Sequence, residues 1–89
     1  MRDILLTQRA LKDLNNIEKG IQNRILTKLR EYEEDPLKNA RKLTNPKIGT
    51  YRFRIGDYRI IFDIDGENIV ILRIGHRKDI YKWLTNIKA

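Results

Sequence analysis

The hydrophobic pattern of this chain changes its period once, near Thr50, and that change constrains the fold more than any other feature. Before it, apolar residues recur at helical spacing: Ala10, Leu11, Leu14 and Ile17, then Ile21, Ile25, Leu29 and Tyr32. After it, Tyr51, Phe53 and Ile55 alternate with Arg52 and Arg54, the two-residue period of a strand with one apolar and one basic face. Two helices are predicted, roughly 8–15 and 18–34, forming a hairpin after a short first strand at Arg2–Leu6. Thr7 is placed to cap the first helix by accepting a hydrogen bond from its first turn. Asp35-Pro36 ends the second, because the residue before a proline is pushed out of the helical region. Residues 36–49 read as a long basic connection, holding Lys38, Arg41, Lys42 and Lys47 and no acidic residue.

The strands that follow can be placed by parity. A two-residue Gly56-Asp57 turn sets Ile55 opposite Tyr58 and Arg54 opposite Arg59, so that Tyr58, Ile60, Phe62 and Ile64 continue the apolar face. A two-residue Asp65-Gly66 turn would then put Arg73 on that face. A three-residue connection, Asp65 to Glu67, is preferred; it pairs Phe62 with Val70, Ile60 with Leu72 and Tyr58 with Ile74, and brings Arg73 opposite Arg59. The expected fold is α+β: a helix hairpin packed on one face of a small, mainly antiparallel sheet, in the order β-α-α-β-β-β with a short C-terminal helix. The other sheet face would carry Arg52, Arg54, Arg59 and Arg73, with Arg77 just beyond the strand end.

Eighty-nine residues suit one domain, spanning 1–89, and one core. A chain of this size buries only roughly 60–65% of its unfolded surface, so a stabilising partner would matter. Nineteen Lys and Arg against twelve Asp and Glu leave a net charge of +7, spread over both halves of the chain. That balance points to a polyanionic partner, nucleic acid before a membrane surface. The absence of cysteine excludes disulfides, thiol catalysis and thiolate metal sites, and fits a cytoplasmic location. The longest apolar run is four residues, Ile69 to Leu72, too short for a membrane span or a secretory signal. A single histidine argues against a histidine-based metal site. No metal and no cofactor are expected.

Arginines gathered on one sheet face repel each other, a cost that an anionic ligand would relieve. Guanidinium groups fork onto phosphate oxygens, so the face suits phosphodiesters. The plainer alternative is a solvated face whose arginine stems cover Ile61, Ile69 and Ile71. Tyr81 and Trp83 could add base stacking, although ordinary packing of a short C-terminal helix is the better account of Trp83.

Two segments carry a family resemblance: Tyr51-Arg-Phe-Arg-Ile-Gly-Asp-Tyr-Arg-Ile-Ile-Phe62 and Ile74-Gly-His-Arg-Lys-Asp-Ile-Tyr81. In this order, after a helix hairpin, they resemble the RelE/ParE superfamily of toxins from toxin–antitoxin pairs, and the RelE branch more than the gyrase-poisoning ParE branch. The resemblance implies a RelE-like fold and a ribosome-dependent endoribonuclease that cuts messenger RNA in the A site of a 70S-type ribosome. It implies metal-independent attack of the 2′-hydroxyl on the adjacent phosphate. By position, the catalytic residues would be Arg52, Arg54, Arg59, Arg77 and Tyr81. Lys42, Lys47, Arg73 and Lys78 would bind RNA around them. A cognate antitoxin is implied as well, expected to cover the basic face with acidic contacts and to seat an amphipathic segment on Ile61, Ile69 and Ile71.

One departure affects the chemistry. The best-known member of the family has lysines where Arg52 and Arg54 stand. A lysine can lose its proton and act as a base, whereas arginine stays protonated. Slower cleavage is the expected consequence. His76 has suitable chemistry for a base, but strict alternation sends it to the apolar face. A ParE-like gyrase inhibitor and a non-catalytic nucleic-acid-binding domain are the alternatives.

Overall fold

A computed structural model describes residues 3–43 and 51–86. Strand β1 (Ile4–Leu6) leads through Thr7 into helix α1 (Gln8–Asn15), followed by α2 (Lys19–Tyr32). A short 3-10 turn at Pro36–Lys38 precedes β2 (Ala40–Lys42). Then come β3 (Tyr51–Ile55), β4 (Tyr58–Asp65), β5 (Asn68–His76) and α3 (Arg77–Asn86). The sheet order is β1-β5-β4-β3-β2, with β1 parallel to β5 and the other pairs antiparallel. The connection read as a loop therefore holds a fifth strand. Ala40-Arg41-Lys42 is too short to show a period, and pairing with β3 is what makes it a strand.

Ala10 and Leu14 of α1 and Ile25 and Leu29 of α2 pack with Phe53, Ile55, Ile60, Phe62, Ile69, Ile71 and Ile74 in one core on one sheet face. Its centre is aromatic: the Phe53 ring lies 4.1 Å from Phe62 and 4.9 Å from Tyr32, and Tyr51 stacks on Phe62 at 5.6 Å. Thr7 caps α1 as its position predicts, accepting from the Ala10 amide at 3.1 Å. The same hydroxyl donates to the Leu72 carbonyl at 3.2 Å, so one side chain starts the helix and ties it to the sheet. Replacing Thr7 by alanine removes both bonds, and a loss of about 1–2 kcal/mol is expected in urea unfolding.

The β3–β4 register is the predicted one, with Ile55 opposite Tyr58 and Arg54 opposite Arg59. Between β4 and β5 the structure corrects the prediction. The loop is the two-residue Gly66-Glu67 turn, which sets Asp65 opposite Asn68, Ile64 opposite Ile69 and Phe62 opposite Ile71. Gly66 takes φ +60° and Gly56 takes φ +58°, so both hairpins place a glycine at the first central position, where a type II′ turn needs positive φ. A bulge then leaves Leu72 unpaired, after which Ile61 faces Arg73, Ile60 faces Ile74 and Arg59 faces Gly75. The extra residue reverses the alternation. Ile69 and Ile71 point into the core before the bulge, and Ile74 does so after it.

Candidate nucleic-acid interface

Two rows of residues cross the sheet face opposite the helix hairpin. One runs Arg41, Arg52, Ile61, Arg73 from β2 to β5; the other runs Arg54, Arg59, Gly75. Alternation of Arg52 and Arg54 with the buried Phe53 and Ile55 puts both arginines on this side. Helix α3 lies across part of the same face. The position a Cβ would take on Gly75 is 2.8 Å from the Trp83 ring and 3.3 Å from Ile80, so the helix rests directly on the sheet there. Trp83 is thus a packing residue.

This covering divides the arginines. Arg59 is only 5% exposed, and its Nη1 donates to the carbonyls of Gly56 (3.0 Å) and Tyr58 (3.1 Å). Arg73 is ion-paired to Asp13 of α1 at 2.8 Å, with its guanidinium carbon 3.6 Å from the Trp83 ring centroid. Arg52 is half-buried, while Arg54, Arg77 and Lys78 are exposed. Lys42 is exposed on the other side, since it shares a side of the sheet with Ala40 and Tyr51 rather than with Arg41. Lys47 falls outside the described residues. Tyr81 stands in α3, one turn after Arg77; its side chain is outside the described part.

Several of the candidate residues come together at the Gly56-Asp57 turn. Arg59 braces it from beneath through the two carbonyl bonds. The Arg77 amide donates to the Asp57 carbonyl at 2.7 Å, pinning the start of α3 to the turn. The Arg77 Nε also lies 3.8 Å from the Asp57 carboxylate, a long and exposed ion pair. Arg24 of α2 reaches the turn from the other side, its Nη1 3.5 Å from where a Cβ on Gly56 would stand. A cavity of about 110 Å³ lies here, between Ile21, Arg24 and Ile25 of α2 and Ile55–Tyr58. His76 precedes α3, and its Nδ1 accepts from the Lys78 amide at 3.2 Å. That bond gives the histidine a capping role at the start of α3. It lies on the side of Tyr58, edge-on at 5.6 Å, as strict alternation predicts.

The family description "ParE toxin of type II toxin-antitoxin system, parDE" matches residues 4–81. The chain belongs to the RelE/ParE superfamily of toxins. The toxin is 33% identical to Toxin RelE3 of Methanocaldococcus jannaschii over 84 residues, 90% of this chain and 96% of the relative. It is 34% identical to Toxin RelG of Mycobacterium tuberculosis over 86 residues, 89% and 94% of the two chains. Among solved structures, the toxin–antitoxin complex RelBE2 from Mycobacterium tuberculosis superimposes with a TM-score of 0.76 at 28% identity, covering 84% of this toxin and 96% of that chain.

Two expectations about this face are corrected. Ile61, Ile69 and Ile71 are fully buried within the toxin, so they offer no seat for an antitoxin segment in this conformation. Ile69 and Ile71 belong to the core, and Ile61 lies on the face that α3 crosses. Arg73 faces Ile61 rather than Arg59 because of the bulge at Leu72. Two cations were absent from the expected site. Arg41 joins the basic face through a strand that pairing alone creates. Arg24 reaches the turn from a helix whose period marks only its buried stripe.

Proposed function

We propose that this toxin is a ribosome-dependent endoribonuclease that cuts messenger RNA in the decoding A site. The observation that carries this reading is the arginine-rich face itself. Arg54, at the end of β3, and Arg77, bonded to the turn, are exposed beside the buried Arg59 that braces it, and Arg41 and Arg52 extend the charge along the sheet. The names of the RelE3 and RelG relatives favour the RelE branch.

In this reaction the 2′-oxygen of the ribose attacks the adjacent phosphorus and the P–O5′ bond breaks. The products are a 2′,3′-cyclic phosphate and a 5′-hydroxyl end. Negative charge grows on the phosphoryl oxygens, and Arg54 and Arg77 offer fixed positive charge there, with Arg59 adding its field from beneath. None of these arginines takes a proton. The proton of the 2′-hydroxyl passes to the departing oxygen by way of Tyr81 or water. An open face holds its substrate weakly, and a ribosome that presents the message in a fixed pose supplies the missing orientation. In the cell a cognate antitoxin, as in the RelBE2 complex, would neutralise the toxin by setting acidic side chains against Arg41, Arg52 and Arg54.

The ParE description of the family supports a second reading, a gyrase inhibitor with no chemistry of its own. Primer extension on ribosomes stalled with an empty A site separates the two. The expected result is a cut inside the A-site codon that naked RNA does not give. An intact message together with inhibited gyrase supercoiling would establish the second reading. Binding that weakens steeply with salt and yields no product would indicate a non-catalytic nucleic-acid-binding domain.

A further inference from the structure

Among the described residues, no strand pairs with the edge of β5 beyond the end of β1 at Leu6, and α1 packs there instead. Asp13 supplies the acceptor. Its Oδ2 accepts from the Ile74 amide at 3.0 Å and from Arg73 Nε at 2.8 Å, and its Oδ1 accepts from Arg73 Nη2 at 3.2 Å. Both side chains are largely covered, at 13% and 20% exposure. The fork holds the Arg73 guanidinium in place, and Trp83 of α3 sits over it at 3.6 Å. On its other contact the same ring rests on Gly75, where even a methyl group would collide. The helix that carries Trp83 begins with Arg77 and includes Tyr81.

We propose that Asp13 is a positioning residue for the site: through Arg73 and Trp83 it sets where α3 lies on the arginine face. The carboxylate neutralises and orients Arg73, the oriented cation gives the indole ring a fixed seat, and the seated ring fixes the helix. Arg73 is then a strut for α3 rather than a phosphate contact. The role assigned to Asp13 in catalysis rests on the ribonuclease reading; its role in seating α3 does not.

Trp83 is the chain's one tryptophan, so its fluorescence reports this contact directly. Asparagine at position 13 keeps an oxygen for the Ile74 amide but loses the charge and the second oxygen that hold Arg73. The Asp13→Asn toxin should show red-shifted tryptophan emission and faster hydrogen exchange in α3, with exchange in β3 and β4 unchanged. On stalled ribosomes its maximal cleavage rate should fall at least tenfold while the ribosome concentration giving half the maximal rate stays the same. Gly75→Ala leaves the Asp13–Arg73 pair intact and pushes the ring away from the sheet, and it should give the same emission, exchange and cleavage changes. Unchanged emission and α3 exchange in Asp13→Asn would overturn the proposal. So would a loosened α3 with wild-type cleavage. A wild-type toxin that leaves the message intact overturns the ribonuclease reading instead, and emission and exchange then decide the seating of α3 alone.

Discussion

Replacing Arg77 by alanine should lower A-site cleavage by two to three orders of magnitude while leaving the fold in place. Removing one donor aimed at developing charge costs about 10²–10³ in rate where electrostatic stabilisation dominates. Arg77 fits that role because its side chain is half exposed and its ion pair with Asp57 is long, so little of its charge is spent inside the molecule. The bond that anchors it, from its amide to the Asp57 carbonyl, survives the substitution. The measurement is a single-turnover rate on stalled ribosomes beside a thermal melt of the free protein. Wild-type cleavage by Arg77→Ala would remove this residue from the chemistry and leave Arg54 as the exposed candidate. Arg59→Ala is the less informative variant, because Arg59 is buried against the turn and its loss would disturb fold and rate together.

The largest stability effect is expected at Phe53. Its ring is fully buried, stacked on Phe62 and in tilted contact with Tyr32, joining α2 to the centre of the sheet. Truncation of such a ring to alanine costs about 3–5 kcal/mol through lost burial and the cavity left behind. A domain of this size has about 4–13 kcal/mol in total. Phe53→Ala should therefore lower the melting temperature by more than about 15 °C, measured by circular dichroism. Saturation with a partner that binds only the folded toxin would recover part of the loss by mass action. A shift under about 5 °C would mean that the core closes around the missing ring.

The parts of this fold that were legible in the sequence depend on residues close together in the chain. Thr7 stands directly before a helical stripe and caps it. Gly56-Asp57 sits between two alternating runs and so determines the β3–β4 register, which places Arg52, Arg54 and Arg59 on one face. The next turn was open to the same reading, since Gly66-Glu67 repeats the glycine–acid pair of Gly56-Asp57. Strict alternation through β5 favours the three-residue connection instead, because an Asp65-Gly66 turn puts Arg73 on the apolar face. The bulge at Leu72 resolves that conflict, and nothing in the local pattern of Val70-Ile-Leu-Arg73 marks it. Short β2 was illegible for a related reason: three residues have no period, and their strand exists only against β3.

The sequence by itself determined the two apolar faces, the helix hairpin that covers one of them, the first turn, and the concentration of arginine on the other face. These follow from local periodicity, capping and turn chemistry. Only the tertiary structure decided which arginines meet solvent. Asp13 neutralises Arg73 from sixty positions away. Trp83 can approach the sheet because Gly75 has no side chain, and α3 then packs on the face where Arg59 and Ile61 are buried. Each of these results from the close approach of side chains distant in sequence, whose partners exist only once the chain has folded.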